Sequence, residues 1–209
     1  MSGIRRAATL PVAFFERPSA VVARELIGCE IISTLGGVAV TGHVVETEAY
    51  LGILDPASHA WRGRRHSQNE SLYAAPGTWY VYRSYGMHWC ANLVCGVPER
   101  GEAVLLRAVE PISGLDVMRK RRGGVADRLL ASGPGRLTVA LGMHRELDGL
   151  PMRRSPVRVR VNDKPEETIS TVRIGITRAA DWPLRFVLAG TRWASRPQPT
   201  TTPRALARG

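Results

Sequence analysis

Two carboxylates and a phenol recur at every second position in Val44-Val45-Glu46-Thr47-Glu48-Ala49-Tyr50. In an extended strand side chains alternate between faces, so Val44, Glu46, Glu48 and Tyr50 share one. A strand face open to water accounts for the pattern equally simply. A face turned toward a substrate gives it chemical meaning. A carboxylate placed to take a proton from water is a general base, contributing ~10² to 10⁴ in rate. Two neighbouring carboxylates also suit O-glycoside hydrolysis. Alternation leaves Glu46 and Glu48 as equal candidates. Arg107 lies in the apolar run Val104-Leu105-Leu106-Arg107-Ala108-Val109, and a buried guanidinium requires a partner. Any carboxylate meets that requirement. Pairing with Glu48 would keep that group ionised and help fix a water.

A second cluster is aromatic: Trp79-Tyr80-Val81-Tyr82-Arg83-Ser84-Tyr85-Gly86-Met87-His88-Trp89-Cys90-Ala91-Asn92. A turn centred on Tyr85-Gly86-Met87 places Tyr80 and Tyr82 on one face, with Asn92 across from Tyr80. Tyr85 then sits at the tip. It either packs sideways or docks a protein, or it acts as a wedge between bases, as in proteins that unstack duplex DNA. Tyr50 and Tyr82 are candidates to sandwich an extruded base, at roughly 1–3 kcal/mol per stacked face. That is comparable with the few kcal/mol needed to flip a base. A third segment, His59-Ala60-Trp61-Arg62-Gly63-Arg64-Arg65-His66, interleaves arginine with glycine. It reads either as a solvated basic loop or as a set of phosphate contacts. His59 lacks a partner set for a metal and reads as a hydrogen-bonding pocket histidine.

These residues need a scaffold, and the flanking sequence describes one. A helix is expected from Ala20 to Ile27, capped by Ser19 and stopped by Gly28. Glu30 to Leu35 and Val38 to Tyr50, joined through Gly36-Gly37, form a hairpin. Residues 51–77 are a long polar loop, a length usually reserved for function. Thr78 to Arg83 and His88 to Cys95 form the tyrosine hairpin, and Glu102 to Val109 another strand. Ser113 is expected to cap a helix to Arg122, and Ser132-Gly133-Pro134 to open one that Gly142 ends. Val157 to Val161, Thr171 to Thr177 and Leu184 to Ala189 alternate as strands. The class is α+β with a mainly antiparallel sheet. Residues 10–195 form the domain, with 1–9 and the Pro/Thr-rich 196–209 as flexible tails.

The chain has 209 residues, of which 44% are hydrophobic, enough for one self-supporting core. No apolar run approaches a membrane span and no secretory signal precedes the domain, so the expectation is a cytoplasmic, nucleoid-associated, non-secreted protein. Cys29, Cys90 and Cys95 make neither a disulfide framework nor a zinc knuckle. They are read as reduced core thiols, and no metal is expected. The net charge of +11 draws the chain toward polyanions, nucleic acid first.

Together the segments resemble the alkyladenine (3-methyladenine) DNA glycosylase family in its bacterial form. The resemblance runs from Ala23 to Trp193. It is carried by Val45-Glu-Thr-Glu-Ala-Tyr-Leu-Gly52, Tyr80-Val-Tyr-Arg-Ser-Tyr-Gly-Met87, Cys90-Ala-Asn92, Val104 to Pro111, Gly133-Pro-Gly-Arg-Leu137 and Pro183-Leu-Arg-Phe186. It implies a single domain around a curved sheet, with a DNA-intercalating hairpin and no cofactor. It separates the two carboxylates: Glu48 corresponds to the catalytic base and Arg107 to the arginine that helps hold the water, together with the backbone carbonyl of Ile174. Tyr50, His59 and Tyr82 correspond to the base-pocket walls, and Tyr85 to the intercalating side chain. Asn92 corresponds to the amide that excludes guanine's 2-amino group. The implied partner is double-stranded DNA carrying damaged purines, bound by a monomer. One departure stands out. The family's Thr-x-Arg-Asn is here His66-Ser67-Gln68-Asn69, so a phosphate contact is either lost or moved to Arg64 and Arg65. A nucleic-acid-binding module without catalysis and a carbohydrate enzyme using Glu46 with Glu48 are the alternatives.

Overall fold

The longest strands, β2 (Val40–Leu51) and β5 (Glu102–Ser113), pair along their length and organise the molecule. The computed structural model describes residues 8–162 and 166–197. Around this pair lie β1 (Glu30–Ser33), β3 (Trp79–Ser84), β4 (His88–Cys95), β6 (Val157–Arg160), β7 (Thr168–Thr171) and β8 (Arg185–Leu188). The helices are α1 (Val12–Phe15), α2 (Ser19–Glu25), α3 (Leu115–Arg121) and α4 (Pro134–Leu141). The strands form one curled antiparallel sheet in the order β3-β4-β5-β2-β1-β6, with β8 also on β2 and β7 on β8. The result is a single α+β domain. Among the described residues no helix is long and apolar enough to cross a membrane.

One edge of β2 changes partner midway. It pairs with β1 through His43 and with β8 from Glu46. Val45 falls at the changeover as a bulge, and Arg107 is the skipped residue on the facing strand β5. Bulges bend the strand and re-aim side chains. This corrects the simple alternation. Val44 joins the main core with Ala49, while Glu46 and Glu48 keep the opposite face.

Beyond the bulge the two faces are separated by strand periodicity. Ala49, Val104, Leu93 and Trp79 stand in register across four strands and pack into the core with Val22 of α2, Leu26 just after it, and Leu137 and Leu141 of α4. Glu48, Leu105, Asn92 and Tyr80 stand in register on the other face. Each pair opposes directly, so the register alone brings a carboxylate, an amide and a phenol into one row.

The structure departs from the sequence expectations at several boundaries. Strand β5 runs on to Ser113, whose Oγ meets Thr41 Oγ1 at 2.9 Å instead of capping a helix. Gly114, at φ 72°, makes that helix entry. Pro111 stays in the strand because a second register shift lies there, opposite Gly42, where a Cβ would come within 2.5 Å of the Glu110 carbonyl oxygen. Ser19 is the first residue of α2 rather than its cap, and its Oγ lies 3.1 Å from the Tyr50 carbonyl. The expected strand Thr171 to Thr177 is displaced to Thr168–Thr171, and the chain from Val172 to Thr177 is irregular. Ala8 and Thr9, expected in a tail, bond to β6 and its end. Residues 1–7 and 198–209 of the expected tails lie outside the described residues. The three cysteines are buried free thiols.

Candidate active site

Glu46 and Glu48 are both fully buried, and their surroundings separate them. Glu46 Oε1 accepts from Arg107 Nε at 2.9 Å, Arg185 Nε at 2.7 Å and Ser195 Oγ at 2.7 Å. Its Oε2 accepts the Ser195 N–H. Burial pushes the Glu46 carboxyl up, but Arg107, Arg185 and the Ser195 N–H outweigh it and hold the group below the ordinary carboxylate range. Glu46 is therefore a saturated structural anion. Glu48 Oε1 accepts the Ile174 N–H at 2.7 Å, and Oε2 accepts the Tyr50 hydroxyl at 3.0 Å. Arg107 Nη1 stands 3.2 Å from the same Oε2. Arg107 thus bridges the two carboxylates. Burial works against its charge, and Glu48 and Glu46 more than restore it. An O-glycosidase needs two carboxylates facing one substrate, and Glu46 faces its own cations instead.

The three groups holding Glu48 also line a cleft of about 1190 Å³. Glu48 lies one hydrogen-bond layer beneath its floor. Tyr50, His59, Tyr80, Tyr82, Asn92, Leu105, Arg107 and Ile174 share the lining, so the expected pocket residues come together. The Tyr80 and Tyr82 rings stack at 5.3 Å, and His59 stands edge-on to Tyr82 at 4.5 Å. His59 Nδ1 lies 2.7 Å from the Tyr80 hydroxyl. Burial and the nearby His66 hold the His59 imidazole below its usual range, hence neutral at pH 7. Asn92 Nδ2 donates to the Tyr80 carbonyl at 3.0 Å, which fixes the amide across the β3–β4 ladder.

The hairpin turn places Tyr85 outward, 86% exposed, with Met87 at 68%. Tyr85 and Gly86 carry φ values of 49° and 66°, the consecutive left-handed pair a tight hairpin turn requires. Arg64 lines the cleft and is exposed. Arg65 is not part of the lining; it is clamped between Glu70 and Glu99 and lies over Tyr73. A second cleft of about 530 Å³ adjoins the first and shares Arg107, Pro134 and Ile174 with it. Its lining adds His88, Arg122, Arg136 and Arg196 and, among the described residues, no carboxylate.

Residues 13–192 match the family described as Methylpurine-DNA glycosylase (MPG). The chain belongs to this family. It is a DNA glycosylase, a hydrolase of N-glycosyl bonds that serves DNA repair. A protein of Methanoculleus marisnigri, named "Putative 3-methyladenine DNA glycosylase", is 48% identical over 193 residues, covering 90% of this chain and 99% of its own. Relatives of the same name occur in Rhizobium meliloti, at 46% over 188 residues (90% and 97%), and in Carboxydothermus hydrogenoformans, at 40% over 190 (90% and 98%).

Several residues that shape the glycosylase cleft escaped the sequence reading. Asn69, fully buried, donates to the carbonyls of His59 and Arg64 and accepts the His66 N–H, clamping the long loop. That loop also contains three short 3-10 turns, Gly52–Leu54, Trp61–Gly63 and Glu70–Tyr73. Arg185 and Ser195 complete the shell of Glu46. Asp55 and Arg173 form an ion pair with both side chains fully buried. The available signal was weak: single charged or polar residues in segments otherwise read as loop, strand or tail.

Proposed function

We propose that this glycosylase flips an alkylated purine out of duplex DNA and hydrolyses its N-glycosidic bond with water activated by Glu48. The observation that carries the reading is the buried Glu48 carboxylate, held by Ile174, Tyr50 and Arg107 directly beneath an aromatic cleft. A 3- or 7-alkylated purine is cationic and departs as a neutral base. The electron pair of the C1′–N bond leaves with the base, water oxygen bonds to C1′, and the water proton passes to Glu48. No general acid is needed for that substrate, and a neutral His59 is suited to hydrogen bonding with the base rather than to protonating it. The product is an abasic site. Among the described residues no lysine lines the cleft, and this reading includes no Schiff base and no strand cleavage.

Substrate capture relies on the same geometry. Tyr50 and Tyr82 form the walls for the extruded base, with His59 bonding its edge. Tyr85 fills the gap left in the stack. Asn92, fixed by Tyr80, cannot yield to the 2-amino group of guanine. Arg64 on the loop and the arginines of the second cleft meet the phosphates, whereas Arg65 is already neutralised by its own carboxylates. One chain supplies all of these groups, so the enzyme acts as a monomer, on the chromosome in the cytoplasm. Deaminated purines such as hypoxanthine are neutral and leave more slowly from a site without an acid. The test is Glu48→Gln under single turnover with a 3-methyladenine duplex. Base release falls about 10²- to 10⁴-fold, to a small residual rate, while duplex binding persists; undiminished release rejects the mechanism.

A further inference from the structure

Glu48 and the Tyr50 wall converge on one side chain that does not enter the cleft. Arg173 makes a bidentate pair with Asp55, Nη1 to Oδ2 at 2.5 Å and Nη2 to Oδ1 at 2.9 Å. Nη1 also donates to the carbonyl of Ala49, the residue between Glu48 and Tyr50, at 3.1 Å. The guanidinium carbon stands 4.7 Å from the centre of the Tyr50 ring. Asp55 in turn accepts the Leu51 and Ala57 N–H groups at 3.1 and 2.9 Å. Strand β7 ends at Thr171, so no ladder fixes the next residues. Ile174, whose N–H holds Glu48 Oε1, is the residue directly after Arg173. Neither Arg173 nor Asp55 is among the cleft-lining residues.

We infer that Arg173 is a positioning residue that sets Glu48 and the Tyr50 ring, with Asp55 as its anchor. Buried ion pairs are often replaceable by apolar side chains without loss of stability, so stability alone does not account for this one, whereas its contacts with Ala49 and Tyr50 give it a geometric role. Its fork fixes three things at once: the loop that presents the Ile174 N–H, the backbone between Glu48 and Tyr50, and the plane of the Tyr50 ring. A planar fork performs that task and an ammonium does not.

The inference rests on Glu48 as the water-activating base, so wild type and Glu48→Gln are measured first on a 3-methyladenine duplex. Loss of release in Glu48→Gln secures that reading independently of Arg173. Arg173→Lys and Asp55→Asn are then assayed under single turnover, with the active fraction set by stoichiometric DNA titration. The expected result is a rate lowered roughly 10- to 100-fold, as small misplacements of reacting groups produce, with duplex affinity within about threefold. In a Glu48→Gln background, Arg173→Lys lowers the residual rate by less than about twofold, because residues acting as a unit are not additive. A rate within about threefold of wild type, or rate and affinity falling together, or an undiminished Arg173→Lys effect without Glu48, overturns the assignment. Where Arg173→Lys does not fold, Asp55→Asn decides by the same criteria.

Discussion

Glu46→Gln separates the two carboxylates in a single experiment. The substitution keeps the shape of the side chain and removes a buried anion from between Arg107 and Arg185, whose side chains are 8% and 4% exposed. Arg107 retains Glu48, but Arg185 loses the carboxylate it is bonded to, and the new amide NH2 faces either the Ser195 N–H or, in the other orientation, the two guanidiniums. Removing one partner of a buried pair costs about 3–5 kcal/mol. At about 2–4 °C per kcal/mol for a domain of this size, Tm falls by roughly 6–20 °C. The effect depends on pH with a definite sign. Because the folded Glu46 carboxyl titrates below its unfolded value, its stabilisation is complete above the ordinary carboxylate range, near 4.3, and is lost as pH falls through the folded value. The stability gap between wild type and Glu46→Gln is therefore widest at neutral pH and narrows below about pH 4. Thermal or urea unfolding of both proteins from pH 7 to pH 3 measures this. At a temperature where the variant is folded, base release stays within about tenfold of wild type, since Glu48 is the proposed base. A Tm shift under about 3 °C, or a gap that does not change with pH, refutes the reasoning.

Tyr85→Ala removes a side chain that is 86% exposed, so stability stays within about 0.5 kcal/mol, while the flipped population falls about 5- to 150-fold through loss of about 1–3 kcal/mol of stacking. Ethenoadenine fluorescence on binding reads this, and a change under about twofold excludes the wedge. Duplex affinity falls with salt at about 0.9 log unit per phosphate neutralised. Arg136→Ala flattens that slope by about one, while Arg65→Ala, already paired with Glu70 and Glu99, leaves it unchanged. Fluorescence anisotropy across salt concentrations checks both, and the reverse ranking contradicts the phosphate path. A cationic 3-methyladenine is released faster than hypoxanthine from otherwise identical duplexes; equal single-turnover rates would require a general acid that the proposed mechanism lacks.

The strands were legible where alternation ran uninterrupted. The tyrosine hairpin is in the expected register, Tyr80 opposite Asn92 and Tyr82 opposite Cys90, because its aromatic pattern and its glycine turn agree. Alternation failed at Val44, where the bulge at Val45 reverses the faces, and periodicity alone carries no sign of a bulge. It failed again at Thr171 to Thr177, where Val172, Ile174 and Ile176 imitate a strand. There the burial of Arg173 against Asp55, residues 118 apart in sequence, overrides local preference. The candidate site was legible by residue type and by resemblance. The division of labour between Glu46 and Glu48 was not legible in the pattern itself, since it depends on Arg185 and Ser195 arriving from distant segments. Long-range ion pairs leave almost no local signal, and the same is true of the Asn69 clamp.

The most direct test of the central claim is to incubate the protein with methylated duplex DNA and identify the bases released. Free 3-methyladenine is expected, together with abasic sites in strands that remain intact until treated with alkali. Absence of any released methylated base, or release accompanied by direct strand cleavage, would contradict it.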